Sequence, residues 1–581
     1  REAEKNCRHI FDLLGSGEVY LGEKINWHVD FKNSYSWEAA KLYRDIEIPY
    51  GKADIKVPWE LSRFQHVAFL AEAYLLSGDE KYTNEFTDQV DDWINNNPPG
   101  RGVNWACAMD VAIRACNWIT GYHIFKHSSL VKEEFLGKFL MSMRQHGRHI
   151  MANLEYSPFV TSNHYLSDIA GLIFIGVSFP QFEESKRWKK FAVKELIKEM
   201  DKQVYEDGCD FEASTCYHRL SLELFFFAVL AVARAHSGFN GGNYLEAAQT
   251  VFGRQFMRKL FKMFDATSYL LKPNGRMPQI GDNDSGRLFT LFPREILDHR
   301  YILALGAVFF RESAWKIKEL FSQDDDIACR RRQNRALRVP RARSCASPSR
   351  QGRAARHRAD TTAARHGYRE CSWRLNKNGN GGHCHNDRLS FEWFAEGKDI
   401  IVDPGTYVYT QDPQARNRFR STNLHNTVTI DKEEQNKISL SHLFSMGNEL
   451  GFKSSEWKGD EDYRVFLGQY RTRRLGGERV IHQREVKFYT KEARLKICDS
   501  FEGRKRHALQ WNFILSPYLK RQVRSIESEK DFRKEEALYS LAYGKLEKTD
   551  KLTMTRETGL PFRIEITLEI RNDILRAHVK E

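Results

Sequence analysis

The sequence predicts a multidomain chain with helices first and antiparallel sheet second. Three observations carry that reading. Apolar residues recur at helical spacing up to about residue 325, the period switches to two from about 371, and 581 residues are too many for one hydrophobic core.

The first clear element is LSRFQHVAFLAEAYLLSGDEKYTNEFTDQVDDWI (61–94), with apolar residues at helical spacing on either side of SGDEKY, which predicts a helix hairpin. Further helical runs cover roughly 104–126, 130–153, 163–178, 186–204, 215–236 and 243–264. Paired helices in series imply stacked hairpins, as a solenoid or a closed α/α toroid. After about 371, LSFEWFAEGKDIIVDPG reads as strand, Gly turn and strand, and HNTVTID, REVKFYT, ARLKICDSF, ALQWNFIL and FRIEITLEI follow. So many alternating strands are most simply a β-sandwich. The boundaries are therefore 1–325 for the helical domain and 371–581 for the sheet domain, with a junction at 326–370.

That junction holds the oddest composition in the chain. Residues 330–369 carry 13 Arg, no Lys and the single acid Asp360, so the tract supplies all but one of the +13 net charges. Lys is common on both sides, while Ile and Phe vanish within. The tract reads as a disordered basic linker or as a stretch out of frame, which would carry no functional information. A nucleic-acid binder would spread its basic charge over folded elements, so that class is set aside. No run of about 18 apolar residues occurs, which predicts no membrane span. The ten cysteines form no CxxC pair, which argues against a zinc ribbon or a disulfide framework. The chain opens REAEKNCRHIF, without Met or an apolar leader, as expected of a processed chain or a fragment.

Four clusters could carry chemistry. In SPFVTSNHYLSD, Asn163, His164 and Tyr165 begin a helix, where Asn163 either caps it or serves a site. In DGCDFEASTCYHRL, a Gly-containing turn places Glu212 before a helix and Tyr217 in its first turns, as a satisfied buried phenol or a reactive one. NGRMPQIGDNDSGRL sets Asp282 and Asp284 in a loop, as solvated turn residues or a calcium-like site. GGHCHNDRLSFEW carries His383 and His385 just before a strand. The hairpin that follows returns Asp403 of VDPGTY to the same end, and FRSTNLHNT adds His425. Two His and one Asp suit a divalent ion, zinc before calcium, with water or another side chain in the remaining position. Two histidines one residue apart on a strand point the same way, so separate duties would need a bend at Gly381 and Gly382.

KVPWELSRFQH, NWACAMDVAIRACNW, SNHYLSD, FEASTCYHR, GDNDSGRL, GGHCHNDRLSFE, VDPGTYVYT and RSTNLHNTV occur in an order that resembles the heparinase II/III family of polysaccharide lyases. The likeness covers roughly 40–570 outside the Arg tract. It implies an N-terminal incomplete (α/α) toroid, a C-terminal antiparallel β-sandwich, and cleavage of an acidic glycan by β-elimination. It places Asn163 on the uronate carboxylate, Tyr217 and His383 in proton transfer, and His385, Asp403 and His425 on a structural metal. Asparagine rather than histidine at 163 points to the heparinase III-like branch. Glu212 falls in a family motif with a substrate or structural role, and His164 adjoins the carboxylate position.

The chemistry asks for such groups. The C5 proton of a uronate lies α to a carboxylate, so that charge must be countered before a modest base can act. The leaving O4 then needs a proton, which a phenol can give. Trp59 and Trp105 could stack on sugar rings, with Arg63 and Asn104 beside them, or simply pack between helices. The expected partner is an acidic polysaccharide, met in the periplasm or after secretion. A glycoside hydrolase would instead pair Glu212 with Asp282 or Asp284. A non-catalytic glycan-binding or polysaccharide-assembly protein would keep the fold without turnover.

Overall fold

The structure is a computed structural model. It describes residues 1–315 and 381–580, apart from 239–241, 292–294 and short stretches at 448–449, 460–461, 476, 490–491, 520–524 and 529. The Arg-rich junction at 326–370 lies outside the described residues.

The helical half follows the periodicity closely. The hairpin of 61–94 is Lys56–Ser62, Val67–Ser77 and Lys81–Asn96, turned by Gly78 at φ 71. Ala108–Phe125, Glu133–Ala152, Asn163–Ser178, Ser185–Gln203, Thr215–Ser237 and Tyr244–Leu270 follow, the last kinked at Gly253, and Arg300–Phe310 is the last α-helix of this half among the described residues. Before residue 56 the only helical pieces among the described residues are Glu2–Asn6 and the 3-10 turn Tyr43–Asp45, fewer than expected. The same stretch forms two small ribbons, Ile10–Phe11 with Val19–Tyr20 and Val29–Asp30 with Tyr35–Ser36.

Asn163–Ser178 packs against both Ala108–Phe125 and Thr215–Ser237. It approaches the first so closely that a Cβ on Gly171 would lie 2.7 Å from Ala112 Cβ. Thr215–Ser237 is long and apolar enough by composition to cross a membrane, but 83% of its most apolar window is buried inside the helical half. A core helix passes the same test. Its polar residues Arg219 and Glu223 are buried as well.

The sheet half is a sandwich. A seven-stranded sheet runs in the order Ser525–Ser528, Ile574–Lys580, Phe562–Arg571, Arg494–Glu502, Glu478–Tyr489, Tyr463–Leu475, Gly451–Gly459. The second runs Arg533–Tyr539, Glu547–Gly559, Arg506–Ile514, Val428–Ile430. Alternation of buried and half-exposed residues along most of Glu478–Tyr489 and Arg494–Glu502 is the period-two pattern seen in sequence. One pair departs from the antiparallel expectation: Ser525–Ser528 runs parallel to Ile574–Lys580.

Between the sheets, Asp499 accepts from His482 Nε2 at 2.8 Å, Arg484 Nε at 2.7 Å and Trp511 Nε1 at 2.8 Å. Arg484 also donates to the carbonyls of Leu389 and Asn426. A buried network of this kind favours one arrangement. Here it ties to the sandwich the two loops that carry His383, His385 and His425.

Candidate active site

A cavity of about 380 Å³ opens where the halves meet, lined by Asn163, Glu212 and Tyr217 from the helical half and His383, Tyr409 and Phe444 from the other. The loop 280–284 sews these together. Thr215 N–H donates to the Ile280 carbonyl, Ser214 Oγ–H to the Asp282 carbonyl, and Asp282 N–H to the His383 carbonyl. Gly281, at φ 63, permits the approach, since a Cβ there would lie 2.6 Å from His383 O.

Hydroxyl caps set the helical residues. Ser214 Oγ accepts from the backbone N–H of Cys216 and Tyr217, both at 3.1 Å, so the helix starts two residues before Tyr217. Ser162 caps Asn163–Ser178, so Asn163 is freed from the capping role its position suggested. Instead its backbone N–H donates to Glu212 Oε1 at 2.7 Å, and its Nδ2 to the two Glu212 oxygens at 3.0 and 2.8 Å. His383 Nε2 stands 3.3 Å from the same carboxylate. Glu212 is only 5% exposed. It lines the cavity and also holds Asn163 and His383.

Tyr217 stacks on the His383 imidazole, with ring centroids 3.6 Å apart and planes 16° from parallel. Its hydroxyl lies 3.1 Å from the Tyr409 hydroxyl. Burial, then the charges of Asp284 and Asp282, push the Tyr217 phenol well above its ordinary range. Neighbouring cations would lower it. The cations are present but spent: Lys56 Nζ pairs with Asp284 at 2.8 Å, and Arg416 pairs with Asp282 through both nitrogens, at 2.5 and 2.7 Å.

Asp282 is the hub of the sheet side. His383 Nδ1 meets its Oδ2 and His385 Nε2 its Oδ1, each at 2.9 Å. The two histidines therefore straddle one carboxylate instead of facing opposite ways. Burial would raise Asp282, but Arg416, His383 and His385 hold it well below the usual carboxylate range. Asp284 is likewise held low, by Lys56 and Arg63 against the effect of burial.

Of the other expected residues, Trp59, Arg63 and His164 line the cavity. Arg63 is bound to Asp110 at 2.5 Å and Glu60 at 2.8 Å. Burial opposes charge on His164, yet Glu155, 2.5 Å from Nδ1, lifts it to about 9. Asn104 and Trp105 lie outside the cavity. Asn104 is fully buried and donates to Trp27 O and Asn97 Oδ1, while Trp105 donates to Asn97 O and packs against Trp93 and His146. Both serve the helical core. Sequence reasoning passed over Tyr409, Lys56 and Arg416. Tyr409 stands in the quoted motif VDPGTYVYT, two residues past Tyr407, and a second phenol there was the available signal.

His385, Asp403 and His425 gather as the hairpin predicted, each with a donor atom within 4.8 Å of the others'. His425 Nδ1 lies 2.8 Å from Asp403 Oδ2. His385 Nδ1 and His425 Nε2 are buried with no hydrogen-bond partner. Buried imidazole nitrogens are rarely left so. Two orphaned nitrogens beside a carboxylate fit a metal ion of the zinc type.

Comparison with known proteins places this geometry. Residues 2–292 match the family described as heparinase II/III N-terminus, and residues 374–561 match heparinase II/III-like, C-terminal. A heparin-sulfate lyase of Pedobacter heparinus is 26% identical over 74% of this chain and 58% of its own length, and one of Bacteroides stercoris is 25% identical over 72% and 61%. The chain thus spans about three fifths of the length of these curated relatives. Among solved structures, a heparinase III superposes with a TM-score of 0.63 at 17% identity, covering 100% of this chain and 90% of that one. A mutant heparan sulfate lyase from Pedobacter heparinus gives 0.53 at 20%, covering 100% and 88%. The fold is accordingly the (α/α) toroid followed by a β-sandwich, and the chain belongs to the heparinase II/III family.

Proposed function

We propose that the protein is a polysaccharide lyase that cleaves a uronate-containing acidic glycan, of the heparan sulfate type, by β-elimination. One observation carries the reading: Tyr217 and His383, from different halves of the chain, are stacked at the rim of one cavity with Asn163 beside them. The names of the curated relatives support the substrate class.

In this reading the uronate carboxylate meets the remaining proton of the Asn163 amide and the His164 imidazolium. A charge pair about 4 Å apart at an effective dielectric near 20 is worth about 4 kcal/mol, which offsets much of the charge that builds on the carboxylate as C5 is deprotonated. Nδ1–H of His383 donates to Asp282, which leaves Nε2 to take the C5 proton, with Glu212 placed to stabilise the imidazolium formed. Tyr217, held as a neutral phenol, protonates the departing O4, and the Tyr409 hydroxyl stabilises the phenolate left behind. Groups of this kind contribute about a hundred- to ten-thousand-fold each.

His385, Asp403 and His425 hold a structural divalent ion, zinc rather than calcium, because two imidazoles favour the softer cation. Its contribution is to fix the loops that carry His383; no step passes through it. A polymeric substrate suits a periplasmic or secreted protein.

The hydrolase alternative needs one protonated carboxyl among Glu212, Asp282 and Asp284. Asp282 and Asp284 are both held ionised, and Glu212 is committed to Asn163 and His383. The test is a screen of uronate polymers for new ultraviolet absorbance from unsaturated ends. Cleavage without absorbance would favour hydrolysis, and binding without cleavage would favour a glycan-binding protein.

A further inference from the structure

One cluster of metal-ligating side chains stands outside the machinery proposed for proton transfer. Cys107 is the residue just before the helix Ala108–Phe125, Glu155 lies in the loop after Glu133–Ala152, and His164 is in the first turn of Asn163–Ser178. Each offers a sulfur, oxygen or nitrogen donor within 4.8 Å of the others. Cys107 Sγ is 3.3 Å from Glu155 Oε1, and His164 Nδ1 is 2.5 Å from Glu155 Oε2. Ligand atoms around tetrahedral zinc, with bonds of about 2.0–2.3 Å, stand about 3.3–3.8 Å apart. A small opening of the Glu155–His164 contact therefore reaches a three-ligand site.

An independent observation points to a cation here. Asp110 Oδ2, on a side chain only 1% exposed that also lines the cavity, has no hydrogen-bond partner. Asp110 lies against Cys107 and adds its charge to that of Glu155 there. Its other oxygen is taken by Arg63. Asp168, which accepts from Glu155 N–H at 2.7 Å, likewise leaves Oδ1 buried and unpartnered. A buried acceptor of Asp110 beside Cys107 thus remains unsatisfied.

We propose that Cys107, Glu155 and His164 form a second zinc site on the helical wall of the cavity, separate from His385–Asp403–His425. His164 is part of the cavity lining, and water can fill the fourth position. On binding, the thiol proton of Cys107 and the Nδ1 proton of the His164 imidazolium leave to solvent, and the sulfur, one Glu155 oxygen and Nδ1 bond the ion. His164 is then no longer a mobile cation for an anionic sugar, so zinc at this site inhibits turnover. That consequence rests on the lyase reading; the binding does not.

Cobalt(II) added to chelator-stripped protein reads the site directly. A Cys-ligated ion gives a thiolate-to-cobalt charge-transfer band in the near ultraviolet, which a two-His, one-Asp site cannot give. The expected result is a band that appears in the wild type as cobalt passes one equivalent and is lost in both Cys107→Ala and Cys107→Ser. Added zinc should also lower wild-type kcat/KM and leave Cys107→Ala unaffected. Cys107 touches no part of the proposed reaction, and thermal melts of the two variants establish that each is folded. No band in the wild type, or one that survives in a folded Cys107 variant, overturns the site. Equal zinc sensitivity of wild type and variant overturns its inhibitory role. Because the cobalt signal needs no turnover, it stands apart from the failure of any glycan to be cleaved.

Discussion

Replacing Glu212 by Gln tests the positioning role of that carboxylate. The wild-type group accepts Asn163 N–H at 2.7 Å and Nδ2 at 2.8 and 3.0 Å, and faces His383 Nε2 at 3.3 Å. Glutamine keeps one acceptor and turns an NH₂ toward donors, so at least one charge-assisted bond and the charge beside His383 are lost. Such a bond is worth about 1.5–3 kcal/mol, and misorientation of Asn163 and His383 appears in the transition state. A loss of about 2–3 kcal/mol corresponds to a fall in kcat of roughly 30- to 150-fold. Steady-state kinetics on a glycan that is cleaved supply the measurement. Here kcat should drop and KM should change little. If kcat is kept while KM rises, Glu212 contacts substrate and the positioning argument is wrong.

Three further outcomes are expected. Stripping the ion proposed at His385, Asp403 and His425 should lower Tm more than it weakens substrate binding; a melt unchanged by chelation, together with no stoichiometric metal after purification, removes the ligand assignment. His164 is raised to about 9 from an ordinary 6.5, so its pairing with Glu155 contributes stability that is full below about 6.5 and lost as pH climbs through about 9. The wild type should therefore lose more Tm than His164→Gln between those limits, and equal losses would contradict the pairing. Gly171→Ala would put a Cβ 2.7 Å from Ala112 Cβ, and overpacking of a tight helix contact should cost about 1–3 kcal/mol by chemical denaturation. A neutral result would mean the two helices can part freely.

Local chemistry was readable where it is local. The polar turn TSN before an apolar helical run places Asn163–Ser178 at both ends, and alternation in REVKFYT and ARLKICDSF marks two paired strands of the larger sheet. The approach of His385 to Asp403 was legible because a hairpin dictates that its two ends meet. What escaped depends on distant partners. Asp282 looked like a solvated loop acid, yet it is fully buried because His383 and Arg416, 101 and 134 residues away, converge on it. Trp105 and Asn104 had the composition of a sugar platform, but nothing local tells an aromatic that stacks on a ligand from one that fills a helix core. The ribbons before residue 56 are only two residues per strand, too short for any periodicity to register.

The central claim is that a phenol from the helices and an imidazole from the sheets eliminate across a uronate. The most direct measurement is ultraviolet absorbance during digestion of heparan sulfate and other uronate polymers by the wild type, with Tyr217→Phe alongside. The account predicts new absorbance from unsaturated ends with the wild type and a loss of at least about a hundredfold in the variant, whose ring still stacks on His383 but carries no proton to give. Cleavage that continues at the wild-type rate in Tyr217→Phe, or cleavage that yields saturated ends, would contradict it.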